Sequence, residues 1–381
     1  MICLYEDEKV SNFGPLVDLR AVFELRCGMR TLIEKIRRLY PKERMVLWVR
    51  KEIAEVVAER YPNLKVNVPV EGQTLFISAR AILLERLALR GEECLFVSGG
   101  RIAGARLKSP IEYSEFPMIN SAFKGLLEKE VKAKVVQFPW ELIEYNPEEL
   151  KREIGESKKG QILTRGAKVW KGAFISTESG PVFIDQKSEV RPGSFVEGPC
   201  YIGPHTIVDG ALVRPGCSFG PHCRIGGEVQ KSIFQGYSNK HHEGFIGHSF
   251  VGEWVNLGAL TTSSDLKNNY KTVKVTIGGK KFDTGMLHLG CFIGDHAKMG
   301  IGTLLPTGAV IGTFANWFEG GFAPKELAPF SWGREEKWRQ GEMVECARRM
   351  MRRRGVEMSQ DYERLLLRLY QNVVGEAKPG R

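Results

Sequence analysis

The chain has 381 residues, 42 of them Gly, and 55 basic against 45 acidic side chains, a formal charge of +10. A length of this order holds two or three domains, and 43% apolar with 26% charged residues excludes global disorder. No apolar run approaches the ~18–20 residues of a membrane span, and the basic balance favours acidic partners such as phosphorylated small molecules or nucleic acid.

Met1-Ile2-Cys3-Leu4-Tyr5 runs straight into Glu6-Asp7-Glu8. It has neither the basic lead nor the long apolar stretch of a signal peptide, so it reads as a first strand of a cytoplasmic chain. Further apolar runs follow at Met45–Val49, Leu75–Ile77 and Cys94–Val97, with helical patterns at Thr31–Leu39 and Lys51–Arg60 between them. Strands alternating with helices predict an α/β domain over residues 1–145 with a mostly parallel sheet. Gly99-Gly100 predicts a hairpin turn. Asn146-Pro147 predicts an N-cap and first helical residue, opening a short helix over Glu148–Glu153 in a linker at 146–163. The eight Cys are scattered without a CxxC pair and are expected to be reduced and buried. Cys200, Cys217, Cys223 and nearby His lack zinc-ligand spacing, and no metal site is expected.

From residue 164 to 332 a period of six takes over. Ile184, Val190, Val196, Ile202 and Val208 are six apart; after a one-residue slip come Val213, Phe219 and Ile225. The series returns at Phe245, Val251 and Leu257, and again at Ile293, Met299, Leu305 and Ile311. Gly often follows the aliphatic residue. This is the signature of hexapeptide coils: one aliphatic side chain points inward per face, and the small residue eases the turn. Half the glycines, 21 of 42, and all seven His fall between residues 201 and 320. Most of those His are therefore expected in coil turns. Residues 266–282, with five Lys, break the period and predict an inserted loop or hairpin. Residues 333–381 read as helical, with 12 basic and 8 acidic side chains. They are expected to cap the coils as a charged surface; nothing there favours nucleic acid.

The segment 225–258, IGGEVQKSIFQGYSNKHHEGFIGHSFVGEWVNLG, resembles the acetyltransferase half of bacterial bifunctional N-acetylglucosamine-1-phosphate uridyltransferase/glucosamine-1-phosphate acetyltransferases. It is closer still to the sugar nucleotidyltransferases related to them. Pro15–Gly28 and Phe330-Ser331-Trp332-Gly333 share that likeness. The resemblance implies a Rossmann-like nucleotidyltransferase domain followed by a left-handed parallel β-helix that assembles as a homotrimer. It also implies acetyl-CoA and a hexosamine 1-phosphate as substrates.

The same resemblance implies site residues. His242 falls on the catalytic base, and Lys231, Phe245 and Asn256 on substrate-binding positions, with Phe245 replacing a Tyr. Ala259, Asp295 and Thr313 fall on the acetyl-CoA path. Acyl transfer needs a base for the amine proton and donors for the thioester oxygen, and His suits the first role.

In the N-terminal half the Gly-rich nucleotide loop of those enzymes is missing, and Ser78-Ala79-Arg80 stands where a metal-binding Asp is expected. Arg20, Arg26 and Arg30 are candidate phosphate grips, and Mg²⁺ is expected only if this domain is active. Three functions follow: acetylation with or without nucleotidyl transfer, nucleotidyl transfer with the β-helix for assembly, or a sugar-nucleotide-binding scaffold.

Overall fold

The computed structural model describes residues 1–113, 118–155 and 162–375. They divide into two units. One holds residues 1–13, 19–25 and 30–138; the other holds 14–18, 26–29 and 139–381.

The first unit is built on seven strands. In spatial order they are Glu128–Glu130, Cys94–Ser98, Arg101–Leu107, Thr74–Ser78, Ile2–Tyr5, Met45–Trp48 and Lys65–Val66. Neighbours are parallel except around Arg101–Leu107, which runs antiparallel to both of its partners. Continuous apolar runs make strands buried on both faces, as parallel strands require. Gly99 and Gly100 turn the Cys94–Arg101 hairpin with φ of +55° and +72°, which suits a two-residue turn. Tyr5, Trp48, Phe76 and Phe123 meet edge to face in the core. Helices α1 (Leu32–Leu39) and α2 (Ala54–Arg60) lie where the sequence predicts them.

The second unit begins its C-terminal run with α3, Pro139–Ile154. This corrects the helix start read at Asn146. Asn146 is not a cap but a buried bridge: its Oδ1 accepts from Gly28 N at 2.6 Å and its Nδ2 donates to Gly216 O at 2.8 Å. Pro147 lies mid-helix, where it forgoes one helix hydrogen bond. A Cβ on Gly216 would stand only 3.0 Å from the Pro147 ring. Residues 156–161 of the expected linker lie outside the described residues.

The coils follow. Strands of two to four residues stack in parallel on three faces. On face 1 the inward column runs Ile184, Ile202, Phe219, Phe234, Val251, Ile293, Ile311, Leu327. Face 2 carries Val190, Val208, Ile225, Lys240, Leu257, Met299 and Trp317. Face 3 carries Val196, Val213, Val229 and Ile246, and Leu305 continues it beyond Ser263. The expected inward Phe245 is thus displaced by Ile246, which pairs with Val229; Phe245 points outward and is half-buried. Residues 266–288 leave the coil as a hairpin of Lys274–Ile277 against Lys280–Asp283, rooted by pairing of Leu266 with His288.

The glycine after the inward aliphatic serves a different purpose from the one expected. Gly220 has ordinary φ, but a Cβ there would lie 1.9 Å from the Gln235 carbonyl oxygen of the next coil. Gly is required by close approach of successive coils. The left-handed turn residue is the one two positions later. At the corner between faces 1 and 2 these are His205, His222, Tyr237, Trp254, His296, Phe314 and Phe330, with φ from +55° to +60°. Non-glycine residues there cost ~1–2 kcal/mol each. Stacking offsets this. The seven rings form one ladder, with centroid spacings of 4.5, 4.8, 4.1, 6.1, 4.4 and 6.0 Å.

Helices α4 (Gln340–Arg352) and α5 (Gln360–Val374) pack along this ladder and do not form a plug over the end of the coils. The ring of His296 is bonded to the Tyr362 hydroxyl at 2.9 Å. Trp338 Nε1 donates to Phe314 O at 2.8 Å, and the Tyr370 hydroxyl to Trp338 O at 2.6 Å. No helix among the described residues is long and apolar enough to cross a membrane.

Candidate functional site

The corner between faces 2 and 3 carries His241 and His242, in the one coil where the inward face-2 residue is a lysine. Lys240 has no exposed surface. Ile225 and Leu257 flank it in the inward column. Its Nζ donates to the His242 carbonyl oxygen. Burial pushes its ammonium down to about 8, opposed in part by Glu243. A charge without a carboxylate partner in an apolar column is costly and holds its position only through its hydrogen bonds. Gly227 makes the space: a Cβ there would lie 2.6 Å from Gly244 O, 2.9 Å from His242 O and 3.0 Å from Lys240 Nζ.

His242 itself is exposed, and His241 is half-buried beside it with ring centroids 5.0 Å apart. Burial, and then the neighbouring His242, lower the His241 pKa, while Asp209 at 3.9 Å raises it. His241 Nδ1 is buried without a hydrogen-bond partner among the described residues. The corner is fixed by main-chain bonds from Gly226 N to Lys240 O (2.6 Å), Glu228 N to Gly244 O (3.0 Å) and Leu260 N to Glu243 O (2.8 Å). The last places Ala259 at the same corner, one coil on. Asn256 lies on face 2 of that coil, its Oδ1 accepting from Asn239 Nδ2 at 2.9 Å. Phe245 opens face 3 directly after the corner. His242, Phe245 and Ala259 therefore lie at one corner in two successive coils, and Asn256 lies on face 2 ahead of that corner.

Asn256 also lines a cleft of about 120 Å³ with Tyr237, Trp254, Met350, Arg353 and Arg354. Burial lowers the Arg354 pKa, and the nearby Arg353 lowers it further. Arg224 is lowered likewise by burial and by Arg354. Cations that depress one another at a cleft suit an anionic ligand. No sequence motif marks this cleft, because residues from 237 and from 350 meet only through the packing of α4.

The remaining expected site residues lie elsewhere. Lys231 is at the corner between faces 3 and 1, its backbone N donating to Pro215 O. Asp295 and Thr313 are at the corner between faces 1 and 2, 1% and 0% exposed. Asp295 Oδ1 accepts from Glu253 N at 2.7 Å, and Thr313 Oγ1 donates to Asp18 Oδ2 at 2.7 Å. Both side chains are buried and bonded within this chain, away from the His242 corner. Arg20 is 2% exposed, in the first unit, and Arg26 is 7% exposed, in the second. The Arg26 Nη1 donates to Met29 O and its guanidinium lies 5.7 Å from the Tyr201 ring centroid. Arg30, half-buried, belongs to the first unit.

In the first unit a cleft of about 370 Å³ opens beyond the carboxyl ends of Ile2–Tyr5 and Met45–Trp48, where parallel sheets bind ligands. Asp7, Glu8, Arg50, Lys51, Glu52 and Tyr113 are among its lining residues. Its charged lining is partly spoken for: Arg50 pairs with the buried Glu6 at 2.8 Å, and Asp7 with Arg80 at 2.5 Å. Arg80, in the place expected for a metal-binding carboxylate, is thus an ion-pair partner of Asp7.

Comparison with known proteins agrees with the resemblance. Residues 2–162 match the family model described as sugar nucleotidyl transferase. A bifunctional sugar-1-phosphate nucleotidylyltransferase/acetyltransferase of Sulfurisphaera tokodaii is 28% identical over 226 residues, 53% of this chain and 51% of that protein. The bifunctional protein GlmU of Methanococcus aeolicus is 31% identical over 178 residues, 46% of this chain and 40% of that one. The chain spans about half the length of these curated relatives, or less. Among solved structures, a perosamine N-acetyltransferase mutant from Caulobacter crescentus, in complex with CoA and GDP-perosamine, covers 72% of this chain and 91% of its own. The two are 14% identical, with a TM-score of 0.12.

Proposed function

We propose that this chain is a sugar-phosphate transferase whose β-helix moves an acetyl group from acetyl-CoA to the amine of a hexosamine 1-phosphate. The observation that carries this reading is the exposed His242 on a corner pinned from inside by Lys240, with Ala259 at the same corner one coil on. His242 takes the proton from the sugar amine as its nitrogen attacks the thioester carbon. The carbonyl oxygen gains negative charge and is met by N–H donors; the tetrahedral centre then collapses and the CoA thiolate leaves. Phe245 offers the sugar a ring face and no hydroxyl. Lys231 stands at another corner of the same chain, so its role as phosphate clamp requires a second copy, in keeping with a homotrimer. The experiment is acetyl-CoA-dependent thiol release with glucosamine 1-phosphate. A ~10²–10⁴-fold loss in His242→Ala is expected for a general base; turnover retained in that variant would remove His242 from the role.

Nucleotidyl transfer in the first unit is the second reading. It is supported by the match over residues 2–162 and by the cleft at the strand ends. The pairing of Asp7 with Arg80 speaks for binding of a nucleotide sugar over Mg²⁺-dependent transfer, since an Arg–carboxylate pair offers a cation no ligand. Pyrophosphate release from a nucleoside triphosphate and a sugar 1-phosphate with Mg²⁺ would establish the catalytic version. A melting shift with nucleotide sugar and no pyrophosphate would establish the binding version.

A further inference from the structure

His248, Asp265 and His288 converge at the root of the inserted hairpin, away from the His242 corner. We propose that they bind one divalent metal ion of the zinc class per chain.

One ligand atom from each residue lies within 4.8 Å of the others. His248 Nδ1 and Asp265 Oδ2 are 2.7 Å apart, and the two imidazole centroids 5.3 Å apart. Two imidazole nitrogens and a carboxylate oxygen are donors that suit zinc and leave a fourth position open. Tetrahedral bonds of ~2.1 Å put donor atoms ~3.4 Å apart. The observed span, from 2.7 to 4.8 Å, brackets that value, so small side-chain rotations are enough to close the site. Magnesium, which prefers oxygen donors and several waters, fits less well.

Beyond the His248–Asp265 hydrogen bond, the three positions are held by main chain. His248 N donates to Gln230 O at 2.9 Å and Gly290 N to His248 O at 2.9 Å. Leu289 N donates to Asp265 O at 2.7 Å, and Leu266 pairs with His288. Asp265 is 17 residues after His248, one coil on, which is why no local motif announces the cluster. Gly247 leaves room for the carboxylate: a Cβ there would stand 2.6 Å from Asp265 Oδ2. The His248 and Asp265 side chains are 11% and 15% exposed, so water competes weakly, while the exposed His288 marks the entry path.

Bound at this point, the ion ties both stems of the hairpin, at 265 and 288, to the coil turn at 248. It fixes the orientation of the lysine-bearing hairpin Lys274–Asp283. It requires no role for His242 or acetyl-CoA and stands apart from the acetyltransferase reading.

The test uses the full chain, stripped with chelator and titrated with Zn²⁺ in a calorimeter and with Co²⁺ by absorption. The expected result is one ion per chain, a tetrahedral Co²⁺ spectrum without a thiolate charge-transfer band, and a raised melting temperature. His288→Ala, an exposed site, and Asp265→Asn, an isosteric change, should each weaken binding at least about tenfold. His242→Ala should bind as the parent does. Absence of binding, a thiolate band, or affinity unchanged in both His288→Ala and Asp265→Asn would overturn the proposal.

Discussion

Lys240, wholly enclosed in the coil, donates a hydrogen bond from its Nζ to the carbonyl oxygen of the exposed His242. A buried cation thus holds the backbone of the candidate base. Burial lowers its pKa from 10.5 to about 8. Between those values the unfolded chain binds a proton that the folded chain has released. Stability therefore rises with pH across pH 8 to 10.5, by on the order of 3 kcal/mol. Below pH 8 the full cost of the buried charge is present. Lys240→Met, which keeps the volume without the charge, should abolish this slope in denaturation series at pH 7, 8.5 and 10. It should also lower acetyl transfer roughly tenfold through the freed His242 carbonyl.

His242→Ala separates chemistry from folding. The side chain is exposed, so its removal should change unfolding free energy by less than ~0.5 kcal/mol. A loss of turnover with an unchanged melting temperature is the expected pair of measurements.

Thr313→Val tests the reassignment of that corner. The substitution removes the 2.7 Å hydrogen bond from Thr313 Oγ1 to the half-buried Asp18 carboxylate and should cost ~1.5–3 kcal/mol. The Michaelis constant for acetyl-CoA should stay unchanged, because Thr313 has no exposed surface.

Phe314→Ala removes a rung from the aromatic ladder. The ring stacks on His296 and Phe330 and meets Trp338 edge to face. A loss of ~3–5 kcal/mol is expected for a buried Phe, read as a shifted denaturant midpoint. Phe314→Leu should recover part of the buried area but not the stacking, and fall between the two.

Much of this fold was legible because coil stacking imposes a period on the chain. Val190, Val208 and Ile225 announce face 2 from spacing alone. The reading failed where a residue breaks the chemistry of its column. Lys240 occupies an inward position that an aliphatic pattern skips, so spacing puts the next register one residue early, at Phe245 instead of Ile246. Spacing also could not separate the two jobs of a corner. Gly220 avoids a collision with the next coil, while His222 adopts the left-handed turn. The candidate site was legible only in part for a related reason. The segment around His242 lies in one stretch of sequence, but Thr313 is bonded to residues almost 300 positions away. Asn146 reads as a cap from its neighbour Pro147, yet its partners are Gly28 and Gly216.

Residues 14–18 and 26–29 belong with the coils although the chain first builds strands of the other unit around them. Asp18 and Thr313 are 295 residues apart. At ~5–20 residues per second of synthesis, Asp18 leaves the ribosome ~15–60 s before its partner exists. The last coils thus close over a segment that has been waiting. Cutting the gene near residue 160 would take from the second half part of its own surface cover.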